Sequence, residues 1–272
     1  QSYLDSPIPT GELYAMNIDG LQRELIYGYR AGDQKTGSRI SSKDDSKASQ
    51  EIISFLDNDD DHILIVEYPW TKDGKFYYDR REKPALISRL NVYSGKKRKL
   101  EVLPYGSSSA LANKFGDVKF MTWRDDNNVQ HSAYRSNNDD EWIPLEEAFE
   151  NASGLLPLGQ SEDGEFVYLS GRFGDEGIST LFSLHLQSGE YKRVFSDHAT
   201  DIEYVVLDRN GMPAVGITYP SRSSYVYAQT ETKVSKVHKM LAEAFKGQTA
   251  TIASHTKDWK TLLVRVSSDV NP

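Results

Sequence analysis

The chain has 272 residues, 38% of them apolar and 11% aromatic, a net charge of −8 and no cysteine. Disulfides and thiolate metal sites are therefore excluded, the longest basic run is only KKRK at 96–99, which argues against a nucleic-acid face, and no stretch approaches the ~18 apolar residues that span a bilayer. Sixteen tyrosines let large rings build a core from few apolar residues, so a folded chain is expected.

The first eleven residues, QSYLDSPIPTG, carry no initiating Met and no apolar leader, and the chain stops at SSDVNP directly after a strand. The expectation is a piece of a longer protein. From Glu12 onward, short alternating runs dominate, separated by Asp-Gly, Asn-Gly and Ser-Gly pairs that tolerate the positive φ of tight hairpin turns. Residues 12–28 are read as the third and fourth strands of a β-propeller blade. A full blade follows at 50–103, with strands near IISFL, HILIVEY, LISRLNV and RKLEVL. A compressed blade is expected at 117–147, a regular one at 154–195 and another at 201–230. VSKVHKMLAEAF, 234–245, places Val234, Val237, Leu241 and Phe245 on one helical stripe, with Gly247 as a stop, and predicts an amphipathic helix packed on the rim. TATIAS and TLLVRVS then form the first two strands of a last blade.

A period supports this division. Asp163-Gly164, Asn210-Gly211 and Asp258-Trp259 lie 47 and 48 residues apart, and the units LNVYSGKKRKL and LHLQSGEYKRV place their Ser-Gly turns 94 residues apart. Four short strands per 40–50 residues is the signature of propeller blades. The fold class is all-β, a β-propeller of about five blade equivalents, either a partial ring or one closed by pairing of the terminal half blades. A single propeller domain over 1–272 is expected. An unpaired half blade at each end would also allow an edge-to-edge homodimer.

Few residues in this pattern look reactive. GSSSA at 106–110 lacks the second glycine of a nucleophile elbow, and none of the six histidines stands in a frame with a nucleophile. His62 and His185 fall inside strands, where a structural role is expected. DNDDDH at 57–62 has calcium-loop spacing at Asp57, Asp59 and Asp61, but His62 stands where the loop requires Gly and Tyr68 where it requires Glu. A solvated acidic turn is the better reading. No metal, cofactor or catalytic residue is assigned, and Asn151-Ala152-Ser153 is a glycosylation sequon of the kind that arises by chance.

The long connections differ from the tight turns. YPWTKDGKFYYDRREKP at 68–84 holds Trp70, Phe76, Tyr77, Tyr78, Arg80 and Arg81, SGRFGDEGIS at 170–179 holds Arg172, Phe173 and Asp175, and YPSRSS at 219–224 holds Arg222. Long loops on one face of a rigid scaffold collect binding residues, and aromatics beside arginine mark protein contacts. Trp70, Tyr77, Tyr78, Arg80, Arg172, Phe173 and Arg222 are the candidate substrate- or domain-facing residues.

The segments SQEIISFLDNDDDHILIVEY, LISRLNVYSGKKRKLEVL and LPLGQSEDGEFVYLSGRFGDEGISTLFSLHLQSGEYKRVF, with the helix and the run from MLAEAF to Pro272, resemble the propeller of the prolyl oligopeptidase family of serine peptidases, closest to bacterial acylaminoacyl peptidases or dipeptidyl aminopeptidases. The resemblance runs from about residue 12 to the end. It implies a two-domain parent in which the propeller gates short peptides onto a C-terminal α/β-hydrolase domain bearing a Ser-Asp-His triad. No triad residue is carried over, so this chain alone should not hydrolyse peptides. A stand-alone propeller binding a protein or small ligand is the alternative. A lyase or glycosidase acting at the channel mouth would need converging carboxylates, whereas acidic residues here collect in turns. The compartment stays open between cytoplasm and periplasm.

Overall fold

The turns predicted from sequence share one construction. In Ser161–Phe166, Gly164 N donates to Ser161 O at 3.0 Å and Phe166 N to Ser161 Oγ at 2.9 Å. In the next repeat Gly211 N donates to Asp208 O at 3.0 Å and Met212 N to Asp208 Oδ1 at 3.0 Å. In the third, Trp259 N donates to Thr256 O at 2.8 Å and Thr261 N to Thr256 Oγ1 at 3.1 Å. A short polar side chain caps the backbone donors of the returning strand each time, which explains why Ser, Asp and Thr open these turns. The two Ser-Gly turns match as well. Gly95 N donates to Asn91 O and Gly189 N to His185 O, both at 2.9 Å, while Ser94 N reaches Asn91 Oδ1 at 2.8 Å and Ser188 N reaches His185 Nδ1 at 3.2 Å. The imidazole of His185 thus does the work of an asparagine amide, the structural role expected of it. His62 is likewise held, by Asp59 Oδ1 at 2.9 Å and Asn91 Nδ2 at 3.3 Å.

The structure, a computed structural model, describes residues 11–31, 46–145, 149, 152–173, 177–195, 200–208, 211–218, 224–228, 231–256 and 258–268. Arg222, Asp175 and Asn151 lie outside the described residues, as does the side chain of Phe173. The chain falls into two compact units, residues 1–131 and 132–272.

Strands β1 (Leu13–Ala15) and β2 (Glu24–Tyr27) pair as the expected half blade. The second sheet runs β3 (Ala48–Ser54), β4 (His62–Pro69), β7 (Leu86–Asn91) and β8 (Lys97–Val102), with a separate hairpin, β5 (Thr71–Asp73) and β6 (Phe76–Tyr78), inserted between β4 and β7. The third sheet comprises β9 (Ser109–Ala112), β10 (Val118–Arg124), β11 (Gln130–Tyr134) and β12 (Ile143–Pro144). It starts at Ser109 and not at 117, so this blade is not compressed. Its first strand comes from a Ser- and Ala-rich segment with weak strand propensity, which hid it. The fourth sheet is β13 (Ala152–Gln160), β14 (Phe166–Phe173), β15 (Thr180–His185) and β16 (Tyr191–Arg193). The fifth is β17 (Ile202–Leu207), β18 (Pro213–Thr218) and β19 (Ser224–Tyr227), three-stranded among the described residues. Helix α1 (Lys233–Ala244) follows, then β20 (Thr249–His255) and β21 (Leu262–Ser267) as a two-stranded sheet. Successive antiparallel sheets, each ordered first strand to last, are the all-β propeller architecture.

Apolar clusters fill three of the spaces along this series. Ile26 and Tyr27 of the first sheet meet Ala48, Ile63, Ile65 and Leu90 of the second. Tyr168, Leu181 and Phe195 meet Ile202 across the fourth and fifth. Val206, Ala214, Val215 and Ile217 of the fifth meet Val234 of the helix and Ile252 of β20. Burying each such aliphatic side chain contributes about 1.5–3 kcal/mol.

Two buried polar groups hold these layers in register. Glu67 on β4 is 2% exposed, accepts from the Tyr27 hydroxyl at 2.9 Å and from Ser88, and pairs with the Lys97 ammonium. One carboxylate thereby joins the first sheet to the second. The second group is His238, which lies beside the predicted stripe of Val234, Val237, Leu241 and Phe245, because the helix turns Val234, Ser235 and His238 inward. A capping box starts the helix, with Ser235 N donating to Thr232 Oγ1 at 3.1 Å and Thr232 N to Ser235 Oγ at 2.8 Å. Val234 and His238 face inward, and His238 is fully buried. Its Nε2–H donates to Ala250 O at 3.1 Å, because a carbonyl only accepts, so Nδ1 accepts from the Tyr227 hydroxyl at 3.2 Å. Burial lowers its proton affinity, which favours this neutral form.

Candidate binding surfaces

In the first unit, the connection between the second and third strands of the second sheet carries four of the seven candidate residues. Gly74-Lys75, with Gly74 at φ 59°, turns β5 back into β6. All of residues 72–84 are exposed, and Phe76, Tyr77 and Tyr78 expose 67%, 40% and 43% of their surface. The base of the hairpin is pinned. Trp70 N donates to Lys47 O at 2.8 Å, Lys83 Nζ to Trp70 O at 2.7 Å, and Thr71 Oγ1 to Glu82 Oε2 at 3.1 Å. The Trp70 ring leans on Tyr29 at 5.8 Å, with its indole N–H buried and lacking an acceptor among the described residues. Ser49 Oγ bonds Asp79, and the Arg81 guanidinium lies 4.0 Å above the Tyr68 ring. Gly106 permits this closure, since a Cβ there would stand 2.2 Å from Arg81 O.

Above this base, cations lie against the rings. Arg80 sits 5.0 Å from the Tyr78 centroid while its Nη2 donates to Asp73 Oδ2 at 3.1 Å, and Lys47 Nζ is 5.2 Å from the Tyr77 centroid. The segment 68–84 holds five Lys or Arg against three Asp or Glu, a basic projection on a chain of net charge −8. Trp70 belongs to the anchor, and Tyr77, Tyr78 and Arg80 to the exposed part. Tyr29, Lys47 and Asp79 were missed from sequence. The Asp73-Gly74 pair between strand-forming residues was a legible signal for the hairpin itself.

The second unit treats its candidate differently. Arg172 Nε donates to Gly177 O at 2.9 Å and Nη2 to Asp201 Oδ2 at 3.1 Å, while Ser179 N donates to Asp201 Oδ1. This arginine ties its own connection to the entry of β17. In the first unit the acidic run 57–62 is likewise engaged, with Asp59 on His62 and Arg89.

The second unit also holds a cavity of about 500 Å³ that no motif in the sequence marked. Its walls come mainly from the first strands of three successive sheets, β13, β17 and β20, with Ser170 of β14 and Trp259 of the turn after β20, and Glu203, Tyr204 and His255 are among the lining side chains. Trp259 stacks on His255 at 3.8 Å and 20°.

These sheets and surfaces define a propeller-type scaffold with an inserted, exposed hairpin. No family model and no curated protein matches the chain. Among solved structures, TolB from Acinetobacter baumannii is similar over 94% of this chain and 57% of its own, at 11% identity and a TM-score of 0.45. The chain thus spans little more than half the length of that structure.

Proposed function

We propose that this chain is a non-catalytic binding propeller, and that the hairpin of residues 70–83 is its docking element for a protein domain. The observation that carries this reading is the placement of Phe76, Tyr77 and Tyr78, three adjacent aromatics in solvent on a hairpin whose base is fixed by hydrogen bonds. Aromatics and arginine with their surroundings already ordered lose little conformational freedom on binding. The sequence resemblance supplies the finer form, in which the partner is the α/β-hydrolase domain of a peptidase parent and the propeller gates short peptides.

The test extends the chain through the coding region that follows residue 272 and assays the product on peptide nitroanilides. A strand–turn–helix with G-x-S-x-G and activity sensitive to a serine-directed inhibitor are expected, with Tyr77→Ser/Tyr78→Ser weakening association between separately expressed propeller and hydrolase by at least about tenfold. An extension without a hydrolase domain would remove the peptidase form. Full association by the double variant would remove the hairpin as the docking element.

A further inference from the structure

The cavity of the second unit is built from strand edges. In their sheets β13, β17 and β20 are each terminal, and all six residues of β17 line the cavity. No strand pairs with the outer edge of β17 among the described residues. Each of the three strands also slips register against its neighbour, between Pro157 and Gly159, Ile202 and Tyr204, and Ile252 and Ser254. The residues left over, Leu158, Glu203 and Ala253, all face the cavity. A similar slip between Ile52 and Ser54 in the second sheet makes it a property of the scaffold, here directed at one space.

Trp259 adds a second observation. It occupies the turn position that Gly164 and Gly211 fill in the two preceding repeats, with φ values of 55°, 70° and 75° respectively. A bulky side chain is rarely tolerated in this left-handed region, and such positions concentrate at functional sites. Its ring stands against His255 in the cavity wall, with the 44%-exposed Tyr204 also in the lining. Glu203 is the one carboxylate among the described lining residues.

We propose that this cavity binds a short extended peptide, paired main chain to main chain with the free edge of β17, with an apolar or aromatic side chain against Trp259 and Tyr204 and a basic side chain against Glu203. Edge pairing supplies affinity and alternate side chains supply selection, the mode by which a peptide adds a strand to a sheet. Ile202 N already donates to Ser179 O at 3.2 Å, so residues 203–207 present the open edge, roughly 17 Å long, and 500 Å³ falls within the usual range for ligand sites of roughly 300–1,000 Å³. The inference deepens the peptide-handling part of the proposed function and uses no residue of the hairpin.

The experiment titrates the full chain with a blocked hexapeptide of alternating leucine and lysine, followed by calorimetry and tryptophan fluorescence. Saturable binding is expected, at least about tenfold weaker when alternate peptide amides are N-methylated, because the donors that pair with the strand edge are gone. Glu203→Lys, an exposed change checked for folding by circular dichroism, should weaken the lysine peptide about tenfold and strengthen its glutamate counterpart. Tyr77→Ser/Tyr78→Ser should bind the peptide unchanged, which separates failure of the hairpin reading from failure of this one. No binding, equal binding of the N-methylated peptide, or indifference to Glu203→Lys would each overturn the proposal.

Discussion

The second and fourth sheets have the same register with different insertions. His62 pairs with Asn91 as Phe166 pairs with His185, and Glu67 pairs with Leu86 as Gly171 pairs with Thr180. Between these fixed points the second sheet's connection is ten residues longer, and those residues make the exposed hairpin. The fourth sheet's shorter connection is clamped by Arg172 onto Asp201. Glu67 and Tyr68 in one sheet correspond in register to Gly171 and Arg172 in the other, so the register is preserved while the chemistry at the loop base is replaced. A propeller blade is thus a frame whose hydrogen bonding tolerates almost any sequence at the end of its second strand.

The sharpest way to break the correspondence is at its buried end. Glu67→Ala leaves the Tyr27 and Ser88 hydroxyls and the Lys97 ammonium without their shared acceptor, and should cost about 3–5 kcal/mol in urea unfolding. Gly171→Ala, at the matching position, meets only the Leu155 side-chain tip at 2.5 Å and should cost about 1–3 kcal/mol. An equal loss from both would mean that Glu67 is not the joint between the first and second sheets. Gly106→Ala comes next. Its Cβ would collide with backbone at Arg81 and Glu82, which cannot rotate away, so a loss of about 2 kcal/mol is expected, with faster proteolysis within residues 70–83. Unchanged proteolysis would separate the hairpin from the Gly106 closure.

A smaller effect distinguishes the second unit by pH. Burial holds His238 neutral in the fold at a pH where the unfolded chain, with an ordinary value near 6.5, takes up a proton. The folded form therefore binds fewer protons, and stability is complete above about pH 6.5 and declines as pH falls below it. His238→Gln keeps a donor and an acceptor without titrating, and should flatten the decline between about pH 6.5 and 5 by about 1 kcal/mol. An unaltered slope would assign the acid sensitivity elsewhere. The smallest effect on stability should come from replacing residues 71–80 by a two-residue turn, which brings the second sheet's connection to within two residues of the fourth's length. Because that segment is almost wholly exposed, melting should change by no more than about 1 kcal/mol while partner association is lost. A larger loss would show the hairpin to be part of the fold.

What could be read without coordinates was local. A turn closes through atoms a few residues apart, so Ser161, Asp208 and Thr256 recur as caps, and the repeat lengths follow from them. The helix stripe and most strands were legible for the same reason, since periodicity is set by backbone geometry and one buried face. The first strand of the third sheet was not, because Ser109–Ala112 takes its strand state from pairing with β10 and not from its own propensity. Tertiary structure alone decided that Arg172 is spoken for by Asp201, that His238 is neutral between Tyr227 and Ala250, and that Glu203, His255 and Trp259 share one cavity. Those outcomes depend on groups brought together from 11 to 56 positions apart, distances over which sequence sets composition but not contact.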